Sequence, residues 1–151
     1  MIKGITQDSL VKNFTLELEI TESIAMQDIN FSIRMLNELK SMGVKISIDD
    51  FGIGYSSLSC LRVFPIDSLK IDRSFVKDVP KNVNNTAITK SIIALTKNLG
   101  LKVVAEGVET QEQLDYLRQH NCDEAQGFLF SKPLPAETIS QFLKNKNYKL
   151  L

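Results

Sequence analysis

Two adjacent carboxylates, Asp49 and Asp50, end the segment KISIDD and are followed directly by a Gly-x-Gly turn. Aspartate is a poor strand former, and neighbouring carboxylates repel each other. The side chains of adjacent strand residues also point to opposite faces. We therefore expect the chain to bend at Gly52, so that Asp50 turns toward the side of Asp49 and the pair binds divalent cations.

The elements that must position this pair are strands alternating with helices. Helical periodicity predicts helices at residues 28–42 and 85–99, each stopped by a glycine, and a capping box, Thr110 with Gln113, predicts another. Pro135 fits the first turn of a C-terminal helix. Strand patterns lie at residues 16–21, 45–50, 69–72, 101–107 and around 125–129. This alternation predicts an α/β fold with a parallel sheet covered by helices.

Each predicted strand carries one polar residue near its C-terminal end, on the face opposite the apolar side chains. Ligands bind at this end of parallel sheets and barrels. The alternative is that these residues are merely exposed on a half-open sheet, but parallel strands are usually buried on both faces. The residues are Glu19, Asp49, Lys70, Glu106 and Gln126.

Carboxylates gathered in one pocket would repel each other, and one lysine cannot neutralise them. Divalent cations can, and ligation by oxygen alone favours Mg²⁺ or Mn²⁺ over Zn²⁺. Two such ions clamp the attacking and leaving oxygens in phosphoryl transfer. The sequence therefore predicts metal-dependent phosphoryl chemistry at the strand ends.

Composition excludes several other classes of protein. Among 151 residues, 18 basic and 18 acidic side chains give zero net charge, so no overall field attracts nucleic acid or anionic lipid. Cys60 and Cys122 have no metal or redox spacing, which favours buried thiols in a cytoplasmic protein. No membrane segment is present, although a parent chain could be membrane-anchored. We expect Phe51 and Phe128 to be core or loop anchors rather than platforms on which a ligand stacks.

Four stretches in order resemble the EAL family of cyclic di-GMP phosphodiesterases: LELEITES, DDFGIGYSSLSCLRVFPIDSLKIDRSFV, LGLKVVAEGVET and QGFLFSKPLP. The resemblance implies a modified TIM barrel of which this chain holds about five β-α units. It also implies two-metal hydrolysis of one phosphodiester of cyclic di-GMP, giving linear pGpG. On this basis residues 1–145 are the C-terminal portion of one EAL domain, and 146–151 are a tail.

The resemblance implies a role for each matching residue. Glu19 is similar to a ligand of the first metal ion, Asp49 to the carboxylate that bridges both ions, and Asp50 and Glu106 to ligands of the second. The ions implied are Mg²⁺ or Mn²⁺. The catalytic residues implied are Lys70, which would hold the attacking water or the scissile phosphate, together with Glu106 and Gln126. The supporting residues implied are Glu22, Glu109, Phe51, Gly52 and Gly54.

The departures from the family pattern concern the start of the domain. The Glu of the E-A-L signature, its nearby Arg and the Asn of a later N-x-S strand lie upstream in the family, and this chain begins after them. Ile53 also stands where the family usually has Thr. We therefore expect an incomplete domain that is inactive alone and self-associates through open strand edges or the Phe51–Ser57 loop. The alternative is a degenerate module that binds cyclic di-GMP or a protein partner, and another TIM-barrel hydrolase is a third class.

Overall fold

The computed structural model describes residues 15–53 and 61–139. The chain divides into two units, Met1–Lys70 (unit 1) and Ile71–Leu151 (unit 2). Within the described ranges, no helix is long and apolar enough to cross a membrane. The predicted tail, residues 146–151, lies outside the described residues.

Unit 1 contains strands β1 (Glu17–Thr21) and β2 (Lys45–Phe51), helices α1 (Glu22–Gln27) and α2 (Ile29–Ser41), and most of strand β3 (Ser68–Ile71). Strands β1 and β2 are parallel and place Thr21 opposite Asp49. Ile46, Ser47 and Ile48 are all buried, as expected for a parallel strand covered on both faces. This register brings the C-terminal ends of β1 and β2 to the same edge.

The predicted helix in unit 1 is confirmed, but its buried face differs from the apolar stripe that the sequence displays. Asp28 caps α2 by accepting the Phe31 N–H at 2.9 Å, and Gly43 ends it with a φ of +82°. The α2 side chain buried in the described structure is Leu36, whereas Phe31 and Met35 are 51% and 42% exposed. Helical periodicity identifies an apolar stripe, but only packing decides which side of the helix meets the sheet.

Unit 2 contains helices α3 (Arg73–Val76), α4 (Val83–Asn98) and α5 (Gln111–Gln119) and strands β4 (Lys102–Ala105) and β5 (Glu124–Ala125). Strands β4 and β5 are parallel, with Ala105 opposite Ala125. The capping box between Thr110 and Gln113 is present at the start of α5. Residues 136–139 are helical and follow Pro135, as predicted. The parallel strand pairs with intervening helices confirm the predicted α/β class.

One bracing arrangement occurs in both units, at the N-terminal ends of the strands. In unit 1, Asp67 accepts the Ile46 N–H at 2.8 Å and pairs with Lys40 of α2. In unit 2, Asp123 accepts the Val103 N–H at 2.9 Å and pairs with Lys97 of α4. Each aspartate thus joins the start of a strand to the helix before it, at the strand ends remote from the predicted site. This end of a barrel is associated with stability rather than catalysis.

Candidate active site

Unit 1 brings three of the predicted site residues together. The Lys70 Nζ lies 2.8 Å from Glu19 Oε1 and 3.2 Å from Asp49 Oδ1. The Lys70 side chain is only 6% exposed, whereas those of Glu19 and Asp49 are 50% and 24% exposed. A buried ammonium group is costly unless it is paired, and the two carboxylates supply that pairing. The carboxylate groups of Glu19 and Asp49 remain partly exposed to solvent, where a ligand can reach them.

Asp50 turns to the same side as Asp49, but the turn begins two residues earlier than predicted. Asp50 itself has a left-handed φ of +55°, and Gly52 follows with a φ of +99°. Carboxylate oxygens of Asp49 and Asp50 lie within 4.8 Å of each other, and the Asp50 N–H donates to Asp49 Oδ1 at 3.0 Å. Aspartate tolerates this backbone conformation better than most residues do. The bend therefore starts at Asp50, whereas the sequence suggested Gly52.

Glu22 is buried at the start of α1, with 3% exposure. Within the described residues, neither of its carboxylate oxygens has a hydrogen-bond partner. It lines a cavity of about 230 Å³ together with Asp50 and Ile53. The family resemblance implies that Glu22 braces the Phe51–Ser57 loop, of which residues 54–57 lie outside the described residues.

Unit 2 pairs the other two predicted catalytic residues. The Gln126 Nε2 donates to Glu106 Oε1 at 2.9 Å. The backbone N–H of Glu106 donates to the Ile71 carbonyl at 3.1 Å, and that of Gln126 donates to the Ala105 carbonyl at 2.9 Å. Glu106 and Gln126 are therefore each the first residue after a strand, and the paired strands fix the position of one side chain relative to the other. The amide orients the carboxylate, as a supporting hydrogen bond does for a metal ligand.

A cavity of about 590 Å³ adjoins this pair in unit 2. Glu106 and Gln126 line it together with Phe128, Lys132 and residues of the following segment. Phe128 is 54% exposed, so it is not a core residue; the other half of the expectation, that it anchors a loop, stays a prediction. A sequence offers no direct measure of exposure for one aromatic residue in a loop, and only the fold places it at a cavity wall.

Sequence reasoning missed Arg73, which lines the same cavity. The Arg73 Nη2 donates to Glu109 Oε1 at 2.7 Å. Gly107 has a φ of +69°, and a Cβ there would lie 2.2 Å from the Arg73 Cγ, so Arg73 packs directly on the glycine backbone. A signal was available: Asp72 caps α3 by accepting the Ser74 N–H, which fixes Arg73 two residues after the end of β3.

The donor chemistry of these residues fits a hard divalent cation. Unit 1 offers the carboxylates of Glu19, Asp49 and Asp50, and unit 2 offers Glu106. Oxygen ligands of this kind suit Mg²⁺ or Mn²⁺. The described histidine and cysteine do not compete for this role. His120 ends α5 with its ring against Tyr116, while burial raises the pKa of the Cys122 thiol to about 11.

Comparison with known proteins identifies the family of this chain. The family model described as "EAL domain" matches residues 2–133. The cyclic di-GMP phosphodiesterase NbdA of Pseudomonas aeruginosa is 51% identical over 129 residues, which cover 85% of this chain and 16% of NbdA. The chain thus spans about a sixth of this curated relative's length.

Solved structures show the same fold. The EAL domain of Mycobacterium smegmatis DcpA is 43% identical with a TM-score of 0.87, over 95% of this chain and 65% of that one. Klebsiella pneumoniae BlrP1, in a complex with manganese and cyclic di-GMP, is 35% identical with a TM-score of 0.76, over 87% of this chain and 34% of that one. These similarities confirm the predicted relation to a TIM-barrel-like EAL fold. The chain belongs to the EAL domain family.

Proposed function

We propose that this chain serves the metal-dependent hydrolysis of cyclic di-GMP to linear pGpG. The observation that carries the proposal is the buried Lys70 ammonium held between Glu19 and Asp49 at the strand ends of an EAL domain. The name of NbdA and the cyclic di-GMP complex of BlrP1 support the substrate class. A purely structural role would not require three charged side chains at this edge of the sheet.

Each polar residue has a task in this proposal. Lys70 places positive charge where the scissile phosphate or the attacking water binds, and its pairing with Glu19 and Asp49 fixes its direction. Gln126 holds the Glu106 carboxylate in one orientation. Fixed groups of this kind stabilise developing charge without having to reorganise during the reaction.

Glu19, Asp49 and Asp50 are the proposed metal ligands of unit 1, and Glu106 is that of unit 2. Phe51, Gly52 and Gly54 are proposed to shape the turn beside Asp50, while Glu22 and Glu109 support the site from α1 and from the Arg73 pair. When bound, Mg²⁺ or Mn²⁺ would lower the pKa of coordinated water and offset phosphate charge. The all-carboxylate donor set supports this choice of ion.

We further propose that the chain by itself turns over cyclic di-GMP negligibly. The family resemblance assigns the first metal ion a Glu and an Asn that these residues do not supply. The alternative, a module that binds the dinucleotide without hydrolysing it, is favoured by the cavity in unit 2, which does not depend on those ligands. Both proposals expect binding with little turnover by the isolated chain, and only hydrolysis once the missing metal ligands are supplied separates them.

The experiment measures binding and hydrolysis on the same purified chain. Cyclic di-GMP is titrated calorimetrically with Mn²⁺ present, and pGpG is then quantified by chromatography after incubation. Binding with little turnover is the expected result. Efficient turnover that Glu106→Gln abolishes would contradict the proposed inactivity of the isolated chain. Absence of both binding and turnover would contradict the proposed function.

We also propose self-association through the open edge of β1. Among the described residues, β1 pairs with β2 on one side and ends the strand order on the other. An unpaired edge offers its backbone groups to another chain. Light scattering coupled to size-exclusion chromatography should show species larger than a monomer at high protein concentration, and a strict monomer at every concentration would contradict this.

A further inference from the structure

Two stretches of the chain, one in each unit, repeat the same pattern of residues. Residues 40–49 read KSMGVKISID and residues 97–106 read KNLGLKVVAE, so both lysines, the glycine and the final acid occupy matching positions. The glycine that ends the preceding helix has a left-handed φ of +82° in one stretch and +73° in the other. In each stretch its N–H donates to the carbonyl of the first lysine, at 2.9 and 3.0 Å. The two stretches therefore match in local structure as well as in sequence.

In unit 1, the bracing aspartate and a predicted site pair lie on the same two strands. The Asp67 carboxylate accepts the Ile46 N–H at 2.8 Å, and the Asp67 N–H donates to the Ile46 carbonyl at 2.8 Å. Three residues further along each strand, about 10 Å away, the Lys70 Nζ lies 3.2 Å from Asp49 Oδ1. Because both strands run the same way, the contact at their start determines which side chains meet at their ends.

Unit 2 has the same arrangement on β4 and β5. Asp123 accepts the Val103 N–H at 2.9 Å. Three residues further along each strand, the Gln126 Nε2 donates to Glu106 Oε1 at 2.9 Å. The strand residues between these two contacts are paired in the same register. Since β5 has only two residues, its own backbone hydrogen bonds fix the register weakly, and the aspartate contact gains weight.

We propose that Asp67 and Asp123 are positioning residues, which set the strand register and thereby pair the acid at each strand end with the polar donor beside it. Lys70 and Gln126 then occupy the same position of a repeated structural unit. The inference rests on the proposed function for what the two pairs do, but it concerns their geometry. The end of the sheet that stabilises the fold thus also places the side chains at the opposite end.

The hydrogen bond to the strand N–H, rather than the ion pair, sets the register in this proposal. The side chains of Lys40 and Lys97 are 35% and 41% exposed, so water screens their charges. The backbone N–H is fixed in the strand, and an acceptor bound to it fixes the neighbouring segment along the strand direction. A slip of one residue would turn the Gln126 side chain to the opposite face of the sheet, away from Glu106.

The test follows the side-chain amide of Gln126 by proton–nitrogen correlation NMR on the full chain. Gln126→Met assigns its two proton signals by removing them. In the wild type, one of these signals should be shifted by the bond to Glu106, and in Asp123→Ala both should move to the positions of a free glutamine amide. Circular dichroism and thermal melting establish that each variant is folded.

Asp123→Asn and Lys97→Met are the matched controls. Asparagine keeps an oxygen that can accept the Val103 N–H, and Lys97→Met removes the ion pair but leaves that hydrogen bond. Both variants should therefore keep the wild-type Gln126 signals even where their melting temperatures fall. A merely stabilising role would instead make the loss of these signals follow the loss of stability.

Wild-type Gln126 signals in a folded Asp123→Ala variant would overturn the proposal, and so would loss of these signals in either control. If Asp123→Ala does not fold, the two controls still decide, because the proposal requires the signals in both. None of these measurements uses cyclic di-GMP, so the positioning role can fail while the proposed hydrolase function stands, and the reverse.

Unit 1 provides an independent test by crystallography. Asp67→Ala should move the Lys70 Nζ out of ion-pair distance from Asp49, whereas Lys40→Met should preserve that contact. An Asp67→Ala structure in which the contact is intact would overturn the role proposed for Asp67, and so would loss of the contact in Lys40→Met.

Discussion

Lys70 and Glu19 form an ion pair of 2.8 Å in which the lysine side chain is buried and the glutamate is half exposed. The pair is therefore asymmetric: the lysine depends on the glutamate for its charge compensation, while solvent still reaches the carboxylate. Asp49 adds a second contact to the same ammonium at 3.2 Å. The single cation thus separates two acids that would otherwise repel each other.

Removing this cation should lower the stability of the chain in the absence of divalent ions. Lys70→Met keeps much of the side-chain length, and we expect the free energy of unfolding to fall by about 1 kcal/mol because the exposed carboxylates are partly screened by water. The control is Lys81→Met, which breaks an exposed pair with Glu112 and should have little effect. Urea denaturation measures both. A Lys70→Met variant as stable as the wild type would contradict the role of Lys70 in relieving repulsion.

The bracing aspartates, Asp67 and Asp123, should make stability depend on acid pH. Burial raises the pKa of each carboxyl, but the lysine partner and the backbone N–H bond outweigh it, so both pKa values lie below the ordinary 3.8. A lowered folded-state pKa gives stability that is complete above the unfolded-state pKa and lost as the pH falls through the folded-state pKa. We therefore expect the free energy of unfolding to decline once the pH drops below about 4.

Asp67→Asn and Asp123→Asn should each remove part of this pH dependence. At neutral pH we expect each to lower the free energy of unfolding by about 1–2 kcal/mol, because a charged hydrogen-bond acceptor is lost. Near pH 3 both variants should approach the wild type. The control, Asp115→Asn, affects an exposed residue 3.8 Å from Arg118 and should leave the profile unchanged. Parallel wild-type and variant profiles down to low pH would refute this explanation.

Variants at Gly107 and Gly100 separate two costs of adding a side chain: the clash with Arg73 and the strain of a left-handed backbone. Both have a left-handed φ, +69° and +73°, but only at Gly107 would a Cβ meet other atoms. Gly100→Ala should cost about 1 kcal/mol from the backbone alone. Gly107→Ala should cost more and displace Arg73 from Glu109. Thermal denaturation of both variants, with a crystal structure of Gly107→Ala, checks this. Equal losses would show that Arg73 moves aside at no cost.

The Cys122 thiol should be unreactive in the folded chain. Its Sγ is in hydrogen-bond contact with the Glu124 carbonyl at 3.2 Å, and burial raises its pKa to about 11. At pH 8 only roughly one thiol in a thousand would be ionised, and the thiolate is the reactive form. In a Cys60→Ser background, alkylation should be slow under native conditions and fast in urea. Rapid native labelling would show that Cys122 is accessible.

Most of the secondary structure and most of the candidate site follow from local patterns. Alternation in residues 16–21 and the Thr110–Gln113 capping box depend on short-range geometry, and both elements were predicted. The prediction that Glu19, Asp49 and Lys70 converge needed only strand periodicity and the common edge of parallel strands. Helices α1 and α3 were missed because each is short and has no two apolar residues spaced three or four positions apart.

The sequence by itself determined the class of the fold, the residues at the strand ends and the family, because these depend on periodicity and on motifs of fixed spacing. Only the tertiary structure decided that Leu36 rather than Phe31 packs inward, that Asp50 begins the bend, and that Arg73 pairs with Glu109 beside an exposed Phe128. These outcomes depend on contacts between segments far apart in the chain. Local sequence patterns do not predict such contacts, since they are set by how the elements pack.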